Sequence, residues 1–184
     1  MSLANSLKKH SLAIGTGAMI LIIMGTVVEG GSLLQKLLFV IGALILGFVA
    51  YLDKQKMLLT LEIIVIIGAI LAFCSFLPPF SRYVVLGGAG IIGVVYLIRI
   101  KFSKEDVWWP IGGAGLLFLA VGLATDAVSS PILFNSLLGI GGILIAIYSA
   151  IGFFYLRVKI AIIWLILNLI FVINPLIIVF SRIV

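Results

Sequence analysis

The sequence predicts an all-α polytopic membrane protein: a seven-transmembrane-helix bundle built from repeated helical hairpins. Three observations predict it. Of the 184 residues, 64% are hydrophobic and 10% charged, against about half and about a quarter in soluble domains. No water-soluble fold of this length hides so much apolar surface. Second, the apolar runs are unbroken and about 20 residues long, as a helix crossing ~30 Å of hydrocarbon requires; a barrel would show shorter alternating segments. Third, a glycine pattern recurs. Ile14-Gly15-Thr16-Gly17-Ala18, followed by Gly25 and Glu29, returns as Ile111-Gly112-Gly113-Ala114-Gly115, followed by Gly122 and Asp126.

The predicted spans of this single transmembrane domain, residues 1–184, are Ser11 to Val28, Leu33 to Leu52, Met57 to Leu77, Tyr83 to Ile100, Val107 to Thr125, Ile132 to Leu156 and Ile160 to Phe180. Met1 to His10 is a short polar stub. Lys8-Lys9 before an apolar run has the look of a signal peptide, but the likeness of the first span to the fifth argues for retention. Glu29-Gly30-Gly31-Ser32 is too tight a turn for anything except adjacent antiparallel helices. Asp53-Lys54-Gln55-Lys56 makes the next turn. Pro78-Pro79 ends the third span, and the fourth is rich in glycine. The longest loop runs from Arg99 to Asp106. In Trp108-Trp109-Pro110 the indoles suit an interface and the proline suits a first helical turn. Ser129-Ser130-Pro131 opens the sixth span. Asn174-Pro175 is expected to kink the seventh, a re-entrant turn being the alternative.

The net charge of +6 belongs to topology and not to a nucleic-acid partner. Lys8, Lys9, Lys54, Lys56, Arg99, Lys101, Lys104, Arg157 and Lys159 fall on the amino-terminal side, and only Lys36, Arg82 and Arg182 on the other. The positive-inside rule then places the protein in the inner or plasma membrane, amino terminus cytoplasmic and carboxyl terminus outside.

Two repeat plans fit these spans. Successive hairpins can be copies, with the seventh span a remnant, or spans one to three and five to seven can be copies joined by span four, a 3+1+3 plan. Likeness between spans two and four (Gly42-Ala43 with Gly47, Gly88-Ala89 with Gly93) favours hairpins.

Few residues carry chemistry. The single cysteine, Cys74, excludes an intramolecular disulfide and a thiolate zinc cluster. With His10 the only histidine, haem and histidine-held metal sites are excluded from the bilayer, and no cofactor is expected. No nucleophile–base or paired-carboxylate constellation suggests an enzyme. The candidate polar or transport path comprises Glu62, the only acid inside a span, with Asn168 and Asn174. Glu62 either snorkels to the cytoplasmic interface or is buried as an ion or proton site, with Lys56 or the Thr60 hydroxyl as its neighbour in the buried case. The candidate helix-packing faces are Ala43 with Gly47, Ala89 with Gly93 and Gly142 with Ala146, small residues at four-residue spacing. Glu29 and Asp126 stand at matched outer positions as helix-terminal acids.

Gly25, Gly42, Gly122 and Gly142, with outer turns ending in Pro78-Pro79 and Pro131, resemble the pattern of HdeD-type short-repeat membrane proteins over the first six spans. That resemblance implies a small membrane protein with a role in acid stress. The function expected from the residues themselves is a non-enzymatic accessory or scaffold subunit, its partners the lipid bilayer and copies of itself or other membrane subunits. The alternative is a small-solute or ion transporter of 3+1+3 organisation.

Overall fold

The computed structural model describes residues 10–53, 56–74, 76–99, 107–155, 157 and 161–183. These form seven helices and no strand: α1 (Ser11–Val27), α2 (Leu33–Leu52), α3 (Lys56–Leu71), α4 (Pro79–Arg99), α5 (Trp109–Ala124), α6 (Pro131–Phe154) and α7 (Ala161–Ile183). Three are long and apolar enough to cross a membrane: Leu33–Leu52, Pro131–Phe154 and Ala161–Arg182. Helices α1 and α5, at 17 and 16 residues, are apolar but shorter. The outward surface is apolar too, with Ile20, Leu34, Ile41, Phe48, Ile91, Ile92 and Ile177 all exposed, which is a surface for lipid and not for water.

Local chemistry sets the helix ends. Proline opens α5 and α6 within their first turn, where a missing N–H costs nothing. At the start of α2, Ser32 Oγ accepts from the Gln35 N–H at 3.2 Å. The Gln35 side chain reaches back, accepting from Gly31 N at 2.7 Å and donating to the Gly25 carbonyl at 3.0 Å. This variant of the capping box ties both helices to their turn. Gly31 sits at φ 79°, a left-handed conformation.

Helix α3 stops at Leu71, short of the Leu77 expected for its span. The amides of Phe73, Cys74 and Leu77 each bond a carbonyl three residues back, so the chain tightens into turns before Pro78-Pro79. Helix α7 runs unbroken through Pro175, with no re-entrant turn. Residues 100–106 of the longest loop, and Lys8, Lys9, Lys54, Lys101, Lys104 and Lys159 among the basic residues used for the topology assignment, lie outside the described residues.

The helices pack as a ring. Contacts run α1–α2–α3–α5–α6–α7 and back to α1, while α4 lies against α3 and α5 only. Phe39 of α2 and Phe134 of α6 meet across the ring, with centroids 6.5 Å apart and planes tilted by 52°. One continuous apolar core fills it, including Met19, Phe39, Ala43, Val65, Leu116, Ala120, Leu138 and Phe171.

The α1/α2 and α5/α6 pairs pack through equivalent residues. A Cβ on Gly25 would meet the Phe39 ring, and one on Gly122 would meet Leu138. One on Gly15 would meet Val49, and one on Gly112 would meet Tyr148. Gly42 lies against the Ala18 carbonyl and Ile22, as Gly141 lies against the Gly115 carbonyl and Leu119. Every α1 residue in these contacts is 97 positions from its α5 counterpart (15 and 112, 25 and 122). Every α2 residue is 99 from its α6 counterpart (39 and 138, 49 and 148).

Candidate functional site

Glu62 lies on α3 near the ring wall, 4% exposed. Its Oε2 is buried and has no hydrogen-bond partner. Across from it on α2 is Gly47, where an added Cβ would stand 3.7 Å from the Glu62 Cβ and 3.1 Å from Ile66 Cδ1. Glycine at 47 lets α2 come close to Ile66 and to the base of the Glu62 side chain. The expected neighbour Lys56 has its side chain outside those described. The methyl of Thr60 faces Gly93 of α4, 3.5 Å from where a Cβ would sit.

The structure does not bring Glu62, Asn168 and Asn174 together. The asparagines are on α7, which is not a neighbour of α3 in the ring. Asn168, 2% exposed, donates to the Trp164 carbonyl one turn back at 2.8 Å. Asn174 donates to the Thr26 carbonyl, bridging α7 to α1. The Asn174 amide thus ties two helices together, whereas that of Asn168 is bonded within its own helix.

The small-residue faces are closed inside the chain. Ala43 is buried, and Gly47 packs on α3. Gly142 packs on Phe171 and Val172 of α7, with Ala146 buried a turn later. Ala43/Gly47 and Gly142/Ala146 are pairs 99 positions apart, with Gly47 set against α3 and Gly142 against α7. Gly93 seats α4 on Ile64 of α3, and Ala89 is half-buried.

A second polar cluster sits at the end of the ring that carries the α1–α2 and α5–α6 turns. A cavity of about 30 Å³ there is lined by Gln35, Lys36, Arg82, Thr125 and Asp126 above Phe39, Ala69 and Phe134, room for a water molecule or two. Arg82 is buried and donates from Nε to the Leu77 carbonyl at 3.2 Å. Thr125 donates to the Val121 carbonyl at 2.8 Å, so the 3.1 Å contact with Tyr83 has the tyrosine as donor. Asp126 Oδ1 accepts from Val128 N at 3.0 Å. That amide above all, helped by Ser129 and the Arg82 charge, holds the Asp126 carboxyl below the usual carboxylate range, against the opposing effect of burial.

The two turns pack on each other, Gly30 near Ala127 and Gly31 near Val128, while the Glu29 side chain is exposed. Among the described residues no three His, Cys, Asp or Glu gather where a metal could be held. Cys74 is half-buried, with Sγ 3.9 Å from the Ile70 carbonyl. The sequence reading missed Gln35 and Arg82 as buried groups. Ser32-x-x-Gln35 is a legible capping signal, whereas nothing local marks Arg82 as buried.

Comparison with protein-family models, with curated proteins and with solved structures gives no match.

Proposed function

We propose that the protein is a non-enzymatic membrane carrier for a small solute or ion, with all seven helices crossing the bilayer in a 3+1+3 arrangement. The observation that carries this reading is the ring order. Helices α1–α2–α3 and α5–α6–α7 follow one another with seams at α3/α5 and α7/α1, and exchanging the triplets exchanges the seams. Two parallel copies about an axis along the membrane normal generate that order. A chain of three equal hairpins does not, because α4 would then hold a place in the ring.

The matched glycine contacts of α1/α2 and α5/α6 support the same plan. Carriers commonly pair such repeats and move one against the other about a site at their interface. Here the seams differ in kind. At α3/α5, Gly68 lies so close to the Ala120 backbone that its Cβ would fall 3.0 Å from the Ala120 carbonyl carbon. At α7/α1, the contacts include the Asn174 amide on the Thr26 carbonyl and Trp164 over Gly15. The first suits a hinge, the second a seam that opens.

The scaffold reading drew its motive from a nearly polar-free interior with several small-residue faces, and Gly47, Gly93 and Gly142 of those faces pack on helices of the same chain. The nine-to-three distribution of basic residues orients the carrier with its amino terminus in the cytosol. The test is flux into proteoliposomes containing the purified protein alone, under imposed gradients of protons, sodium, potassium and a pool of labelled small metabolites. Protein-dependent movement of one of these is expected. If none moves, and a second membrane protein co-purifies in fixed ratio, the protein is a subunit of that complex.

A further inference from the structure

Glu62 is the acid that the packing leaves unexplained. Its neighbours Asn168 and Asn174 in the sequence-derived path found partners on backbone carbonyls; its own Oε2 found none. The helices packed against α3 are α2, α4 and α5. On α2 the titratable groups are Lys36, beside the turn-end cavity, and Tyr51, which is exposed. On α4 they are Arg82 and Tyr83 at the turn end and Tyr96 and Arg99, both exposed, at the other. Helix α5 has none. Among the described side chains, then, no cation stands beside the carboxyl to balance a charge. A bare carboxylate there would be strongly disfavoured.

The seam has a way out. Ala69 lies two turns further along α3 on the route to the turn-end cavity, which it lines together with Arg82, Thr125 and Asp126. Seven residues of helix separate it from Glu62, ~10 Å. Between them stand Val65 and Ile66, with Ala43 and Gly47 on α2. The barrier is about two turns of apolar helix packed against small residues of α2.

We propose that Glu62 is a proton-binding site within the bundle, loaded from the cavity at the turn end along the α2/α3 seam, so that the coupled ion of the carrier is the proton. The carboxylate takes up one proton to become the neutral acid, which the apolar seam tolerates. Release returns the proton when the seam opens. This rests on the carrier reading for its use, but the site itself can be tested without transport.

Dicyclohexylcarbodiimide, which modifies protonated carboxyls in apolar surroundings, is the probe. The full chain in mild detergent is treated across a pH series, with and without sodium, and the adduct is mapped by mass spectrometry. The expected result is modification at Glu62, absent in Glu62→Gln, undiminished in Asp126→Asn and unaffected by sodium, with at least a tenfold fall across the alkaline part of the series. Filling the cavity with Ala69→Phe slows it severalfold. No adduct at Glu62 in a monodisperse, helical sample overturns the proposal. Protection by sodium at fixed pH overturns it too, because the site then holds a metal cation. An adduct at Glu62 in a protein that moves nothing in liposomes supports the proton site and removes the carrier reading.

Discussion

The same substitution, glycine to alanine, has opposite expected effects at two positions. At Gly68 a Cβ would lie 3.0 Å from both the carbonyl carbon and the Cα of Ala120, and closer still to its oxygen. Carbon–carbon contacts settle at ~3.5–4.0 Å, so α3 and α5 must part by ~0.5–1 Å. The obstacle is backbone, which no rotamer change relieves. Overpacking of this kind costs about 1–3 kcal/mol, offset by at most about 1 kcal/mol of helix propensity. At Gly87 a Cβ meets nothing within 4 Å, so the propensity term stands alone there. Gly68→Ala should therefore lower, and Gly87→Ala hold or slightly raise, the midpoint of SDS-induced unfolding from mixed micelles, with the two variants about 1–3 kcal/mol apart, since the propensity gain is common to both. Equal midpoints would refute the close α3/α5 approach, and with it the hinge assigned to that seam.

Gln35→Ala removes the hydrogen bonds to Gly31 N and the Gly25 carbonyl and should cost about 2–4 kcal/mol in the same assay, since both groups are left without their partner. Asn174→Leu breaks the α7–α1 bridge at a cost of about 1 kcal/mol and should increase labelling of a cysteine placed at Gly15. Glu62→Leu removes an unpartnered buried oxygen, so it should leave thermal stability unchanged or raised while abolishing proton movement; a clear loss of stability would show that the carboxyl is bonded. Asp126 has a depressed folded value, so its stabilising effect is present above the unfolded value of about 3.9 and is lost as pH falls through the lower folded value. Asp126→Asn should flatten the acid limb of a melting-temperature profile. A cysteine at Ser129, in a Cys74→Ser background, should react with an impermeant maleimide from outside intact cells; reaction only after lysis would invert the topology.

The helices themselves were legible in the sequence because apolar runs and proline stops are local signals. Six of the seven helix ends expected near a turn fall close to it, and the exception, α3, stops early because the turns after Leu71 are themselves apolar. The ring order was not legible. Likeness between Gly42-Ala43 and Gly88-Ala89 pointed to hairpins, yet Gly42 packs on Ala18 and Ile22 while Gly88 has nothing within 4 Å. Two identical dipeptides do different things. The correspondence of Gly42 with Gly141 was hidden by a turn two residues longer, which shifts the register from 97 to 99. Glu62 was visible as an acid within an apolar run, but its isolation depends on which helices surround it, and spacing along one chain does not contain that.

The peripheral seat of α4 has a consequence for how this chain can be altered. In the proposed 3+1+3 carrier each triplet makes an odd number of passes, so two triplets joined directly would enter the lipid head to tail, the second upside down. One additional pass restores the orientation. Excising α4 should thus do more harm than its few contacts suggest, and supplying residues 1–78 and 107–184 as two separately inserted polypeptides should do less.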